Sequence, residues 1–275
     1  MSFTRIGAPA EPVKSDDVAI AGIQVADLVV EFPGRNGALG ARAVDGVTFD
    51  VRPGELLVLV GRSGCGKTTV LNVLAGLQLP TSGTALVAGD RPRLARRRVG
   101  YMFARDGLLP WRSARRNVEF ALEIRRPQLS RSERRDRALA ALERVGVVHA
   151  AGRYPWQLSQ GMRQRVALAR TWVMDPEVLL MDEPFAALDA QTRASVQEEF
   201  LGVWGRNRRT AVFVTHELKE AVLLADRILV LHTGRVIDEI AVGIERPRNE
   251  ATLEEHPRYG EIHRRLIAGL NEMPR

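Results

Sequence analysis

The stretch Gly61 to Thr68, GRSGCGKT, constrains this chain more than any other. It follows the apolar run LLVLV, Leu56 to Val60, and opens onto TTVLNVLAGL, whose apolar residues recur with a helical period. Glycines here let the backbone curl so that its N–H groups converge at a helix N-terminus, where the partial positive charge favours an anion. The pattern predicts a loop that cradles phosphate. Lys67, one of only three lysines beside Lys14 and Lys219, supplies a compact charge for the outer phosphates. Thr68 offers a hydroxyl to Mg2+. The candidate binding set is Gly61, Arg62, Ser63, Gly64, Cys65, Gly66, Lys67, Thr68 and Thr69. The positive field also predicts a lowered pKa and a reactive thiol for Cys65, with a small filler in a tight loop as the plainer reading; both can hold.

A second stretch belongs with it. VLLMDEP is an apolar strand that ends in two carboxylates, Asp182 and Glu183. A buried strand delivers such acids to its carboxyl end, the edge of an α/β sheet where ligands bind. Asp182 suits the metal, and Glu183 suits a base that polarises a water for attack on the terminal phosphate.

At 275 residues and 45% hydrophobic, the chain can bury the core of one large α/β domain. Its apolar runs fall short of the roughly 18 residues that a membrane span needs. The first 20 residues, rich in Pro, Ala, Ser and charge, read as a mobile tail with no signal-peptide core. A single cysteine rules out an internal disulfide. The net charge of +7 comes from arginines spread among acids, without the aromatic platforms that stack bases, so no nucleic-acid partner is expected.

Strands are expected at IQVADLVVEF, ARAVDGVTFDV, LLVLV, GTALVAG, RRVGYMF, EVLLMD, TAVFVT and RILVL, with a tight turn at Pro53-Gly54. Between residues 112 and 174 the period becomes helical, and Ser130 and Glu133 have capping-box spacing. Further helices are expected near 189–207 and at 217–225. Together these imply a parallel-sheet core with a helical lobe at about 104–158.

At LSQGMRQRVALAR, Leu158 to Arg170, the chain comes to resemble the nucleotide-binding subunit of ABC transporters. The likeness rests on the phosphate loop, LSQGM, VLLMDEP, ALD at 187–189 and THE at 215–217, in that order. It implies a P-loop NTPase core with an antiparallel β subdomain and a helical subdomain, spanning residues 21–240, with a C-terminal extension at 241–275. It also implies ATP and Mg2+ as cofactors and a head-to-tail dimer of two ATP-binding subunits. Ser159 and Gly161 would then bind the γ-phosphate of ATP held by the second subunit, and Ser159 can also cap its own helix. Asp189 would connect the two sites, and His216 would sense or hold the γ-phosphate. Phe32 matches the aromatic that stacks on adenine, with a core Phe as the rival reading.

Two departures from the family pattern stand out. Where the strand before the helical lobe ordinarily ends in Phe-Gln, with the Gln reaching Mg2+, this chain has Phe103-Ala104. A methyl cannot ligate a metal, and Arg105 has no lone pair to give; Asp106 lies two residues further on. Mg2+ takes few protein ligands, so hydrolysis is expected to survive while the link to the transporter changes. Gln160, in place of the signature's first Gly, puts little in doubt.

LLPW followed by RSARRNVEFALE resembles the ATPases of nitrate, sulfonate and taurine importers. Such an ATPase would work at the cytoplasmic face of the membrane with a separate permease and, indirectly, an extracytoplasmic solute-binding protein. Trp111 and residues 108–110 would form an apolar docking surface. The alternatives are a catalytically weakened scaffolding subunit and a soluble non-transport ATPase of the same family.

Overall fold

The computed structural model describes residues 22–33, 40–206 and 208–271; the expected tail at 1–20 lies outside them. Two sheets organise the chain. The smaller is antiparallel, in the order β2-β1-β4, from β1 (Ile23–Phe32), β2 (Ala41–Val51) and β4 (Ser82–Val87). The larger has six strands in the order β5-β6-β7-β3-β8-β9. These are β3 (Leu56–Val60), β5 (Val99–Met102), β6 (Val178–Asp182), β7 (Thr210–Thr215), β8 (Arg227–His232) and β9 (Arg235–Ala241). All its pairings are parallel except β8 with β9.

β3 shows why the apolar runs are strands. Every one of its residues is 0% exposed, as a parallel strand covered on both faces requires. Its side chains alternate: Leu56, Val58 and Val60 join the core cluster beneath the helices, while Leu57 and Leu59 join the cluster beneath the antiparallel sheet. Full burial of such a side chain contributes roughly 1.5–3 kcal/mol, so β3 anchors both halves of the core. The turn into it forms at Pro53-Gly54, where Glu55 N donates to Arg52 O at 3.0 Å. Gly54 takes φ 75°, which a Pro-Gly pair supplies without strain.

Helix α1 (Lys67–Leu74) follows β3, and a short α2 (Pro92–Ala95) precedes β5. The helical insert comprises α3 (Ala114–Arg125) and α4 (Arg131–Arg144), and α5 (Gln160–Trp172) leads from it to β6. Ser130 and Glu133 do form a capping box at the start of α4. Then come α6 (Ala190–Arg206) and α7 (Leu218–Leu224), and after β9 a short α8 (Glu250–Leu253) and α9 (Pro257–Asn271). The C-terminal segment is part of the body: Val242, Ile244, Leu253, Ile262 and Leu266 are buried in the helix-side core.

β9 is a strand that the apolar pattern missed. It is an edge strand with mostly exposed or half-exposed residues, RVIDEIA, so its sequence carries no apolar run.

Parallel register then sets the site. Val60 pairs with Thr215, and Asp182 pairs with Val214. The carboxyl ends of β3, β6 and β7 therefore present the loop at 61–66, Asp182-Glu183 and Thr215-His216 side by side.

Candidate functional site

Residues 61–66 form the loop between β3 and α1. Arg62, Ser63 and Gly64 make its exposed rim, while Gly61, Cys65, Gly66 and Lys67 are buried. Gly66 is the N-cap of α1 at φ 105°, and a Cβ there would lie 2.3 Å from the Ala43 carbonyl oxygen, so no other residue fits. The helix start carries no capping side chain and no acid in its first turn, which leaves its N–H dipoles aimed outward. Lys67 Nζ donates to the carbonyls of Gly61 at 2.6 Å and Arg62 at 3.1 Å, holding its charge under the loop. Thr69, on the same first turn, is half-buried.

Cys65 departs from the expectation of a reactive thiol. It is 6% exposed, and burial pushes its pKa up despite the Lys67 charge nearby. Desolvation outweighs the positive field here, and the filler reading holds.

Thr68 Oγ1 donates to Asp182 Oδ1 at 3.0 Å, joining the helix start to the end of β6. Burial raises the Asp182 pKa, and the Thr68 hydrogen bond opposes that shift. A hydroxyl and a carboxylate converging at an exposed edge are two hard oxygen donors, the number that Mg2+ ordinarily takes from a protein. The residues therefore fit a magnesium ion. Next to them, Glu183 Oε2 lies 3.0 Å from His216 Nδ1. Glu183 sits at φ 44°, a conformation that costs on the order of 1–3 kcal/mol away from glycine. Its N–H is fixed by Val214 O at 3.0 Å, so the strained turn is held by the neighbouring strand.

Ser159 caps α5, its hydroxyl accepting from Met162 N at 3.3 Å. Gly161 is glycine for a packing reason that the sequence did not reveal: a Cβ there would lie 2.4 Å from Thr192 Cγ2 on α6. Thr192 N in turn donates to Asp189 Oδ1 at 3.0 Å, which holds the Asp189 carboxyl below the usual range. Among the described residues no hydrogen bond or ion pair joins Ser159 or Gly161 to the phosphate loop of the same chain. The structure thus groups Ser159, buried Gly161 and Asp189 as one neighbourhood, and Lys67, Thr68, Asp182, Glu183 and His216 as another.

The loop after β5 belongs to the first neighbourhood. Ala104 is exposed and Phe103, 51% exposed, lies against Tyr101 with ring centroids 4.4 Å apart. Asp106, the remaining carboxylate near the missing Gln, is engaged elsewhere. Its Oδ2 accepts from Arg163 Nε of α5 at 3.1 Å, and its Oδ1 from Leu108 N at 3.0 Å. Arg170 adds bonds to the carbonyls of Asp106 at 2.7 Å and Gly107 at 2.8 Å.

Phe32 ends β1 at 42% exposure, which excludes the core reading. Of the expected docking residues, Trp111 is 70% exposed but Leu108 is buried in the core, so the apolar surface is narrower than LLPW suggested. Asn117 sets this difference, bonding both the N–H and the C=O of Leu109 from within α3. Trp156, stacked on Tyr154 at 4.7 Å, adds an exposed aromatic that sequence reading missed. Main-chain bonds from Ala114 to Arg153 and from Arg115 to Ala151 carry it to the same end of the helical insert.

Other side chains that bind the site together were also missed. Gln164 Nε2 donates to Pro184 O, tying α5 to the turn after Glu183. Arg193 Nη1 donates to Glu217 Oε1 at 3.3 Å and its Nη2 to Leu188 O at 3.0 Å. Nothing local in the sequence separates these polar residues from an ordinary solvated helix face.

Residues 44–186 match the family described as ABC transporter. The chain is 40% identical over 223 residues to the nitrate import ATP-binding protein NrtD of Synechococcus elongatus, covering 80% of this chain and 81% of that one. It is 41% identical over 248 residues to an uncharacterized ABC transporter ATP-binding protein of Methanocaldococcus jannaschii, covering 89% and 91%. It is also 38% identical over 256 residues to the longer bicarbonate transport ATP-binding protein CmpC of Synechococcus elongatus, covering 92% of this chain and 38% of that one. Among solved structures, a dimeric ATP-binding cassette, MJ0796, in a post-hydrolysis state bound to ADP and Pi is similar with a TM-score of 0.74. That likeness has 29% identity and covers 81% of this chain and 100% of the cassette.

Proposed function

The chain belongs to the ABC transporter family as an ATP-binding subunit, an ATPase coupled to transport, and from that premise we propose how its residues divide the work. The observation that carries the reading is the convergence of two polar pairs, Thr68 with Asp182 and Glu183 with His216, beside the loop at 61–66.

The loop N–H groups, Ser63 and Thr69 bind the phosphates of ATP, and Lys67 leaves its carbonyl partners to meet the outer phosphates. Thr68 and Asp182 hold the magnesium ion, whose charge, when bound, offsets that of the phosphate oxygens. Glu183, as the general base, accepts a hydrogen bond from the attacking water and takes its proton, and His216, its partner at 3.0 Å, holds the carboxylate in place and faces the γ-phosphate. Phe32 stacks on adenine.

Ser159 and Gly161 act on ATP held by a second copy, facing its phosphate loop head to tail, and Asp189 lies at the junction. The dimeric form of the similar cassette supports this reading. Residues 21–240 form the ATP-binding domain with its helical subdomain at 104–158, and 241–275 extend it. Among the described residues no helix is long and apolar enough to cross a membrane. The subunit works at the cytoplasmic face, where Trp111 and Trp156 dock on the permease. The cargo is a small solute such as nitrate, sulfonate or taurine, delivered by an extracytoplasmic binding protein; the named importer relative supports the first.

Steady-state phosphate release by the chain with its permease tests the assignment. Turnover that disappears in Glu183→Gln while ATP binding persists supports it; turnover indifferent to Glu183 contradicts it.

A further inference from the structure

We infer that the open cavity bordered by α4, the end of α5 and the end of α6 is a site for a small organic phosphate, separate from the ATP site. It measures about 280 Å3 and its wall includes Arg126, Arg137, Arg144, Trp172 and Asp175. An adjoining space of about 170 Å3 shares Arg144 and Trp172 and adds Arg206. Arg137 and Arg144 are two turns apart on α4, so both guanidinium groups rise from one helix face.

Charge on this wall does not balance. Asp175 is its one carboxylate, and it is already committed to Arg209 at 2.6 Å, with Arg126 at 3.7 Å. Glu133, one turn before Arg137, spends an oxygen on Ser130 N at 2.7 Å. Among the described residues Arg137, Arg144 and Arg206 make no ion pair or side-chain hydrogen bond.

Several other arginines are paired. Arg227 is paired with Glu55 and Glu239, and Arg42 with Glu31 and Asp45. A larger cavity of about 790 Å3 between α6 and residues 246–250 has three arginines, of which Arg208 lies over the Trp204 ring and the other two are bound. Arg246 is bound to Asp226, and Arg248 to the carbonyls of Val222, Ala225 and Ile244. At the smaller cavity three exposed guanidinium groups, those of Arg137, Arg144 and Arg206, thus face one carboxylate.

Planar guanidinium groups take oxyanions by paired N–H bonds, and a phosphate, with more terminal oxygens than a carboxylate, can meet more than one of them at once. The half-buried Trp172 ring, braced edge-on by Phe200 at 6.2 Å, offers an apolar wall for a flat body. The volume admits one ring and its phosphate. A ligand here would tie α4 to the ends of α5 and α6, and α5 begins beside Ser159, so occupancy would bear on turnover from outside the ATP site.

The test uses phenyl phosphate, titrated calorimetrically into the full chain with its ATP site saturated by MgADP. One saturable site is expected, with affinity lowered about tenfold or more in Arg137→Ala/Arg144→Ala. Arg131→Ala/Arg135→Ala, exposed positions on the same helix outside the cavity, should bind as the parent does, and ADP binding reports that each variant is folded. No saturable site in the parent chain, or equal losses in the two pairs, overturns the proposal.

Discussion

The phosphate-loop end of the sheet and the Ser159 end of α5 are held in different ways. At the first, backbone register does the positioning: Val60 opposite Thr215 and Asp182 opposite Val214 bring three strand ends together. At the second, side chains from distant segments clamp one another. Arg163 reaches Asp106, Gln164 reaches Pro184 O, and Gly161 lies against Thr192. A geometry fixed by a parallel sheet suits chemistry that fails if atoms shift by an ångström. One held by a few side-chain contacts between distant segments suits a surface proposed to move when a partner docks.

The contrast can be broken most severely at Glu183. Glu183→Gln should lower ATPase turnover by about 10^2–10^4-fold with ATP binding intact, because it removes the proposed base and leaves the strand register alone. A loss below tenfold would detach the chemistry from the sheet edge. Next in size is Gly161→Ala, where the new methyl meets Thr192 and should cost roughly 1–3 kcal/mol of stability. Urea unfolding measures it, and Thr192→Ala in the same chain should recover most of the loss.

Asp106→Ala sharpens the other side. The Asp106 to Arg163 pair is partly exposed, so stability should fall by less than about 1 kcal/mol, while stimulation of ATPase by the permease changes more. Ala104→Gln should leave ATP affinity nearly unchanged and alter the same stimulation; if it changes neither, water already fills the position. The smallest effect is expected at Cys65. Burial raises its pKa, so less thiolate is present at neutral pH and alkylation should be slow, accelerating as pH rises. Rapid modification at neutral pH would contradict the packing of the loop.

What was legible in the sequence follows the same division. The loop at 61–68, the Asp182-Glu183 pair and β3 are contiguous motifs whose local pattern states their geometry. Ser159 as a helix cap could likewise be read, because capping is a relation across three residues. The reason for glycine at 161 could not, since Thr192 approaches it from another helix. Nor could the engagement of Asp106 by Arg163, 57 positions away, or the burial of Leu108. β9 escaped because an exposed edge strand carries no apolar run, and the lowered pKa expected of Cys65 gives way to one raised by burial, which is not visible in a motif.

The central claim is that one catalytic site is built from the phosphate loop of one copy and the Ser159 helix of another. Mixing Lys67→Ala chains with Ser159→Ala chains tests it most directly, by ATPase turnover in the presence of the permease. Each variant alone should be inactive, and the mixture should regain turnover, because a mixed dimer holds one intact pair of Lys67 and Ser159. A mixture as inactive as its parts would contradict the account.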